Sequence, residues 1–148
     1  MSTATAVKPS LTIKRRFNVA PEKVYAAWID PEKMSRWLGP PNVIKVNTTT
    51  DVTIGGRYTI QMIVPNDEHN VTGVYREIVP NRKLVFTWGW HSTPERESLV
   101  TVTFMPDGDG TLMTLHHEQF FDEAARDRHE QGWTVIIPRL DALFTSDN

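Results

Sequence analysis

The chain contains no cysteine, which excludes disulfides, thiolate metal sites and cysteine nucleophiles together. It has no apolar run near the roughly 20 residues needed to span a bilayer, so no membrane role is expected. Charge of one sign is also missing: 16 basic against 18 acidic residues give a net charge of −2. No run of Lys or Arg marks a phosphate track or an anionic surface, and nucleic acid is not an expected partner. The basic triplet Lys14-Arg15-Arg16 reads as a solvated strand edge. Residues 1–10, "MSTATAVKPS", have no apolar core of a signal peptide and read as a flexible N-terminal tail. Lack of cysteine and of a leader fits a cytoplasmic protein.

What is present is ordinary globular material, 39% hydrophobic and 23% charged over 148 residues. That length suffices for a core without metal or disulfide support. With no repeat, low-complexity tract or linker, residues 11–148 read as a single domain.

Two periodicities organise it. "LTIKRRFNV" alternates as a first strand. In "APEKVYAAWIDPEKMSRWL", Val24, Ala27 and Trp28 share a helical face, Pro21 suits a first turn, and Pro31 divides the segment into two short helices. Asp30 is placed to cap the second helix, and Gly39-Pro40-Pro41 ends it. From Val43 to about Glu118 the period is two, predicting strands near 43–50, 56–64, 70–79, 83–90, 97–105 and 111–118. Turn signals at 54–56, 65–67, 80–81, 92–94 and 106–110 separate them. Connections this short make an antiparallel meander. The segment "DEAARDRHEQGWTVIIPRLDALF" returns to a helical period, with Asp122 as N-cap and His129, Trp133, Ile136 or Ile137, Leu140 and Phe144 on one stripe. Gly132 and Pro138 weaken this helix, and a bend is expected there. The stripe's partner is the sheet's concave face. The predicted class is therefore α+β: a curved antiparallel sheet of about six to seven strands wrapped around a long C-terminal helix.

Alternation nominates the walls of the space between them. Tyr58, Ile60 and Met62 share a face of one strand, Phe86 and Trp88 of another, Val102 of a third, and Met113, Leu115 and His117 of a fourth. The helices add Trp28, Trp37, His129, Trp133 and Ile137. Five tryptophans is a high count for this length, and such rings suit flat apolar ligands when they do not fill the space themselves. Trp37 is placed near the mouth, beside Gly39-Pro40-Pro41 as a gate.

His117 and His129 stand against this wall as polar candidates. Adjacent strand residues such as His116 and His117 face opposite sides and cannot converge on one ion, and there is no HExxH pair, so neither metal nor cofactor is expected. "GGRY" lacks the spacing of a phosphate-binding loop, and no serine lies in a nucleophile elbow.

The order of "DPEKMSRWLGPP", "GGRYTIQM", "VTGVYREIVPNRKLVFTW", "GTLMTLHHEQF" and "HEQGWTVIIPRLDALF" resembles the homologues of the activator of heat-shock protein 90 ATPase, within the START-like (SRPBCC) helix-grip superfamily. The resemblance implies the helix-grip fold and a cavity between helix and sheet. It also places Gly73, Tyr75 and Glu77 inward on their strand, although a bulge would reverse its end. An inward Glu77–His117 pair would then orient a ligand, or move a proton. Three functions follow as expectations: a binding protein for a hydrophobic or aromatic small molecule, preferred; a co-chaperone-like module whose partner is a chaperone; and a cyclase or aromatase. Homodimerisation through an exposed sheet edge or the aromatic surface is left open.

Overall fold

A computed structural model describes residues 8–146. The chain runs β1 (Leu11–Phe17), α1 (Pro21–Ile29), α2 (Pro31–Trp37), β2 (Lys45–Thr50), β3 (Arg57–Val64), β4 (Asp67–Val79), β5 (Lys83–Trp90), β6 (Ser98–Asp107), β7 (Gly110–Glu118) and α3 (Glu123–Ser146), with a 3-10 turn at Pro94–Arg96 before β6. All seven strands form one antiparallel sheet in the order β1-β7-β6-β5-β4-β3-β2. This is the helix-grip arrangement. Most of the expected tail, residues 1–7, lies outside the described residues. The backbone at Pro9 is tied down, its carbonyl accepting from the Phe120 N–H at 3.2 Å.

Local chemistry sets the helix limits. Pro21 and Pro31 each open a helix, where a missing N–H costs nothing. The Asp30 carboxylate accepts from the Glu32 N–H at 3.0 Å, and the Asp122 carboxylate from the Ala125 N–H at 2.8 Å. α3 continues through Pro138, which is exposed. Its inner stripe of Trp133, Ile137, Leu140 and Phe144 is buried with the inward side chains of every strand except β2's polar stretch, where Val46 alone joins them. The Phe17 and Phe144 rings meet edge-on at 5.3 Å, closing the end near β1. On this edge strand the basic triplet is solvated as expected, with Arg15 on Asp141 and Arg16 on Asp107.

One irregularity decides which side chains face in. Along β4 and β5, Tyr75 pairs with Phe86 but Glu77 pairs with Val85, so β4 carries one extra residue at Arg76. Such a bulge moves every later side chain to the opposite face. Ile78, opposite Leu84, packs on the core, and Glu77 turns outward to Lys83 at 3.0 Å. The expected inward position of Glu77 is therefore corrected.

Candidate functional site

Two spaces lie between the sheet and the helices. A cleft of about 690 Å³ opens beside the first half of α3. Its floor is Met62, Trp88, Phe120, His129 and Trp133, and its rim carries Pro40, Pro41, Arg96, Phe121, Arg128 and Ile136. The second is a void of about 10 Å³ bounded by Trp28, Met34, Leu38, Tyr58, Ile60, Tyr75, Phe86 and Trp88, the room of one water molecule. Trp88 borders both and separates them.

The cleft walls are held by a polar lattice. An indole N–H can only donate, so the hydrogen bonds fix both histidine tautomers. Trp133 Nε1 donates to His117 Nδ1 at 3.1 Å, leaving the His117 proton on Nε2, which donates to Ser98 Oγ at 2.7 Å. The Ser98 hydroxyl donates in turn to the Trp88 carbonyl at 3.2 Å. On the other side Trp90 Nε1 donates to His129 Nε2 at 2.8 Å, and His129 Nδ1 donates to the Ala125 carbonyl at 2.7 Å. The two imidazoles meet edge-on at 5.1 Å, and both lie against Phe120.

Both histidines are held neutral. Burial lowers the His117 pKa well below its usual value, and the neighbouring His129 and His116 lower it further. Burial also lowers that of His129, against the opposing pull of the Ala125 carbonyl and assisted by Arg128. Burial raises the Tyr58 and Tyr75 hydroxyls, which stay protonated. Tyr58 donates to the Thr87 carbonyl at 2.5 Å. Among the described residues, two buried indole nitrogens, Nε1 of Trp28 and of Trp88, have no hydrogen-bond partner.

The expected wall residues divide into five groups. Met62, Trp88, His129 and Trp133 meet around the open cleft. Trp28, Tyr58, Ile60, Tyr75 and Phe86 surround the small void instead. Val102, Met113, Leu115, His117 and Ile137 are sealed in the core. Glu77 is outside. Trp37 needs correction as well: it is 0% exposed, donates from Nε1 to the Ala27 carbonyl at 2.8 Å and stacks edge-on against Trp28 at 4.7 Å. It plugs the α1–α2 corner and stands at no mouth. The Gly39-Pro40-Pro41 loop does reach the cleft, strapped to α3 by Arg139, whose guanidinium donates to the Gly39 and Pro40 carbonyls at 2.8 and 3.2 Å. Glu77 and His117 do not form the expected pair. His116 bonds Thr12 Oγ1 at 2.9 Å, away from His117. Sequence reasoning missed Arg96, Phe120 and Phe121, which lie in connections where period-two alternation carries no information, and Arg128, an exposed residue of α3 off its inner stripe. The aromatic pair Phe120-Phe121 just after β7 was the one available signal.

Comparison with known proteins places this geometry. The sequence profile of the family described as Activator of Hsp90 ATPase homolog 1-like protein matches residues 18–145. The human protein named Activator of 90 kDa heat shock protein ATPase homolog 1 is 25% identical over 124 residues, which is 83% of this chain. The chain spans about a third of the length of the curated relatives it matches (33% of the human protein). The crystal structure of an AHSA1 protein from Silicibacter pomeroyi superposes with a TM-score of 0.80 at 28% identity, covering 95% of this chain and all of that one. A protein from Rhodobacter sphaeroides reaches 0.83 at 19% identity, covering 99% and 97%, and attests to the fold alone.

Proposed function

Since this chain belongs to the Activator of Hsp90 ATPase homolog 1-like family, we propose that it acts as a small-molecule binding protein, carrying a hydrophobic or aromatic ligand in the cleft between sheet and α3. The carrying observation is the aromatic cleft of about 690 Å³, within the size range of ligand sites at about 300–1,000 Å³. Its walls are preorganised. Trp90 and Trp133 are each anchored by an imidazole, so a ligand entering the cleft meets rings that have little rotamer freedom left to lose. The proposed site residues are Met62, Trp88, Trp90, Phe120, His129 and Trp133. The interior beyond Trp88 is packed, which supports a ligand position beside the first half of α3.

The test uses Gly132, a cleft residue on α3 where an added Cβ meets nothing within 4 Å. Gly132→Leu projects a bulky side chain into the cleft from a position where a Cβ meets no neighbour. Tryptophan-fluorescence titration of the wild type with flat aromatic compounds is expected to saturate, and the variant to lose affinity at least tenfold while keeping its melting temperature. A wild type that saturates with no such compound would end this reading.

A second reading is an interaction module with a chaperone as partner. It is favoured by the 124-residue similarity to the human activator. It predicts capture of a 90 kDa heat-shock protein that Gly132→Leu leaves unchanged, because its determinants lie on the outer surface.

A further inference from the structure

Resting on the small-molecule reading, we infer that the cleft selects an anionic ligand: an apolar, ring-bearing molecule that carries a single carboxylate. Among the described residues, the cleft lining includes two arginines, Arg96 and Arg128, and no Asp or Glu. In a chain with 18 acids and 16 bases, that local excess of positive charge runs against the protein's net sign.

The two guanidiniums stand on different banks. Arg96 ends the 3-10 turn between β5 and β6, and Arg128 lies in the second turn of α3. Neither is spent on a partner acid. The Arg96 guanidinium carbon lies 3.9 Å from the centre of the Phe121 ring. A guanidinium on a ring face is held in place while its in-plane N–H donors stay available for a carboxylate. Its sequence neighbours Glu95 and Glu97 are not part of the lining. Along α3 the residues within reach of Arg128, at three and four positions either side, are Ala124, Ala125, Gln131 and Gly132. Asp127, next in sequence, is taken by Arg126 at 2.8 Å. Among the described residues neither Arg96 nor Arg128 has an ion pair or side-chain hydrogen bond.

Beneath them the cleft floor is apolar, made of Trp88, Phe120, Trp133 and Met62, and His129 among them is an uncharged ring bonded at both nitrogens. Charge is thus confined to the rim and is all of one sign. A molecule whose body lies on the indoles and whose carboxylate remains at the mouth satisfies both zones. The planar fork of arginine fits carboxylate oxygens in pairs. A neutral molecule of the same shape leaves the rim unused, and a cationic one is repelled.

Calorimetric titration of the full chain at low ionic strength with 2-naphthoate and with uncharged 2-naphthamide tests this. The acid is expected to bind about tenfold tighter than the amide, the scale of two partly exposed charge pairs. The preference should shrink in salt. In an R96Q/R128Q double variant, checked for folding by circular dichroism, the ratio should fall to about one with the amide's affinity unchanged. Equal binding of acid and amide by the wild type overturns the anion inference and leaves the cleft as a binding site. A preference that survives in the double variant overturns the assignment to these arginines. Failure of both probes to bind overturns this inference together with the function it rests on.

Discussion

His117 shows how much a single buried residue can commit. It is 0% exposed, accepts from one indole and donates to one hydroxyl, and it has no group to spare for a proton. Protonation would put a second N–H where the Trp133 N–H already points, in a site burial makes hostile to charge. Its pKa is lowered in the folded state, while in the unfolded chain it returns to about 6.5. The unfolded state therefore binds the extra proton first. The stability contributed by the neutral ring is complete above pH 6.5 and is lost as pH falls from there toward the folded-state value. The slope is about 1.4 kcal/mol per pH unit for His117 alone. His129, lowered in the same direction, adds to it. Urea denaturation between pH 8 and 5 should show a plateau and then a decline beginning near pH 6.5. In His117→Gln, less stable at pH 8, the decline should be shallower and the two curves should converge. Parallel curves would deny that His117 is the titrating group.

At the scale of elements, β4 carries both a required glycine and the bulge. Gly73 sits opposite Tyr58, and a Cβ there would lie 1.9 Å from the Thr87 carbonyl oxygen and 2.5 Å from the Tyr58 ring. Backbone cannot yield as a flexible side chain does. Gly73→Ala should destabilise by about 1–3 kcal/mol, read as a lower urea midpoint at an unchanged slope. Three residues on, the chain inserts Arg76. Glu77→Gln, past that insertion, removes only a pair whose carboxylate is 46% exposed, and the same measurement should find it within about 1 kcal/mol of wild type. These two positions mark what alternation can reveal. The strands, their turns and the capping aspartates at 30 and 122 were legible because period and capping chemistry are local. The extra residue in β4 showed only as a break in alternation between Tyr75 and Ile78, because a bulge is defined against its partner strand. Trp37 was misplaced for a related reason: its partner is a carbonyl ten residues back, brought near by the turn at Asp30-Pro31.

For the molecule as a whole, stability and binding occupy different ends of α3. The second half, through Ile137, Leu140 and Phe144, is sealed against β1 and the sheet centre, whereas the first half borders open space. The core faces of the sheet were readable from periodicity. The cleft draws on residues 91–98 and 120–121 as well as on strands and helix, and it exists only once these connections fold back. A ligand there binds the folded chain and has no counterpart site in the unfolded one. At a hundred times its dissociation constant it should add about 2.7 kcal/mol of stability, which for a chain of this size is a rise of about 5–10 °C in melting temperature. A differential scan with 2-naphthoate should show that rise in the wild type. Gly132→Leu should melt at or above the ligand-free wild type, since leucine replaces a glycine in a helix interior at a gain of up to about 1 kcal/mol, and at the same ligand concentration its rise should be no more than about half that of the wild type. A variant that responds as fully as the wild type would place the ligand elsewhere, because the leucine intrudes on the cleft while the small void behind Trp88 remains as it was.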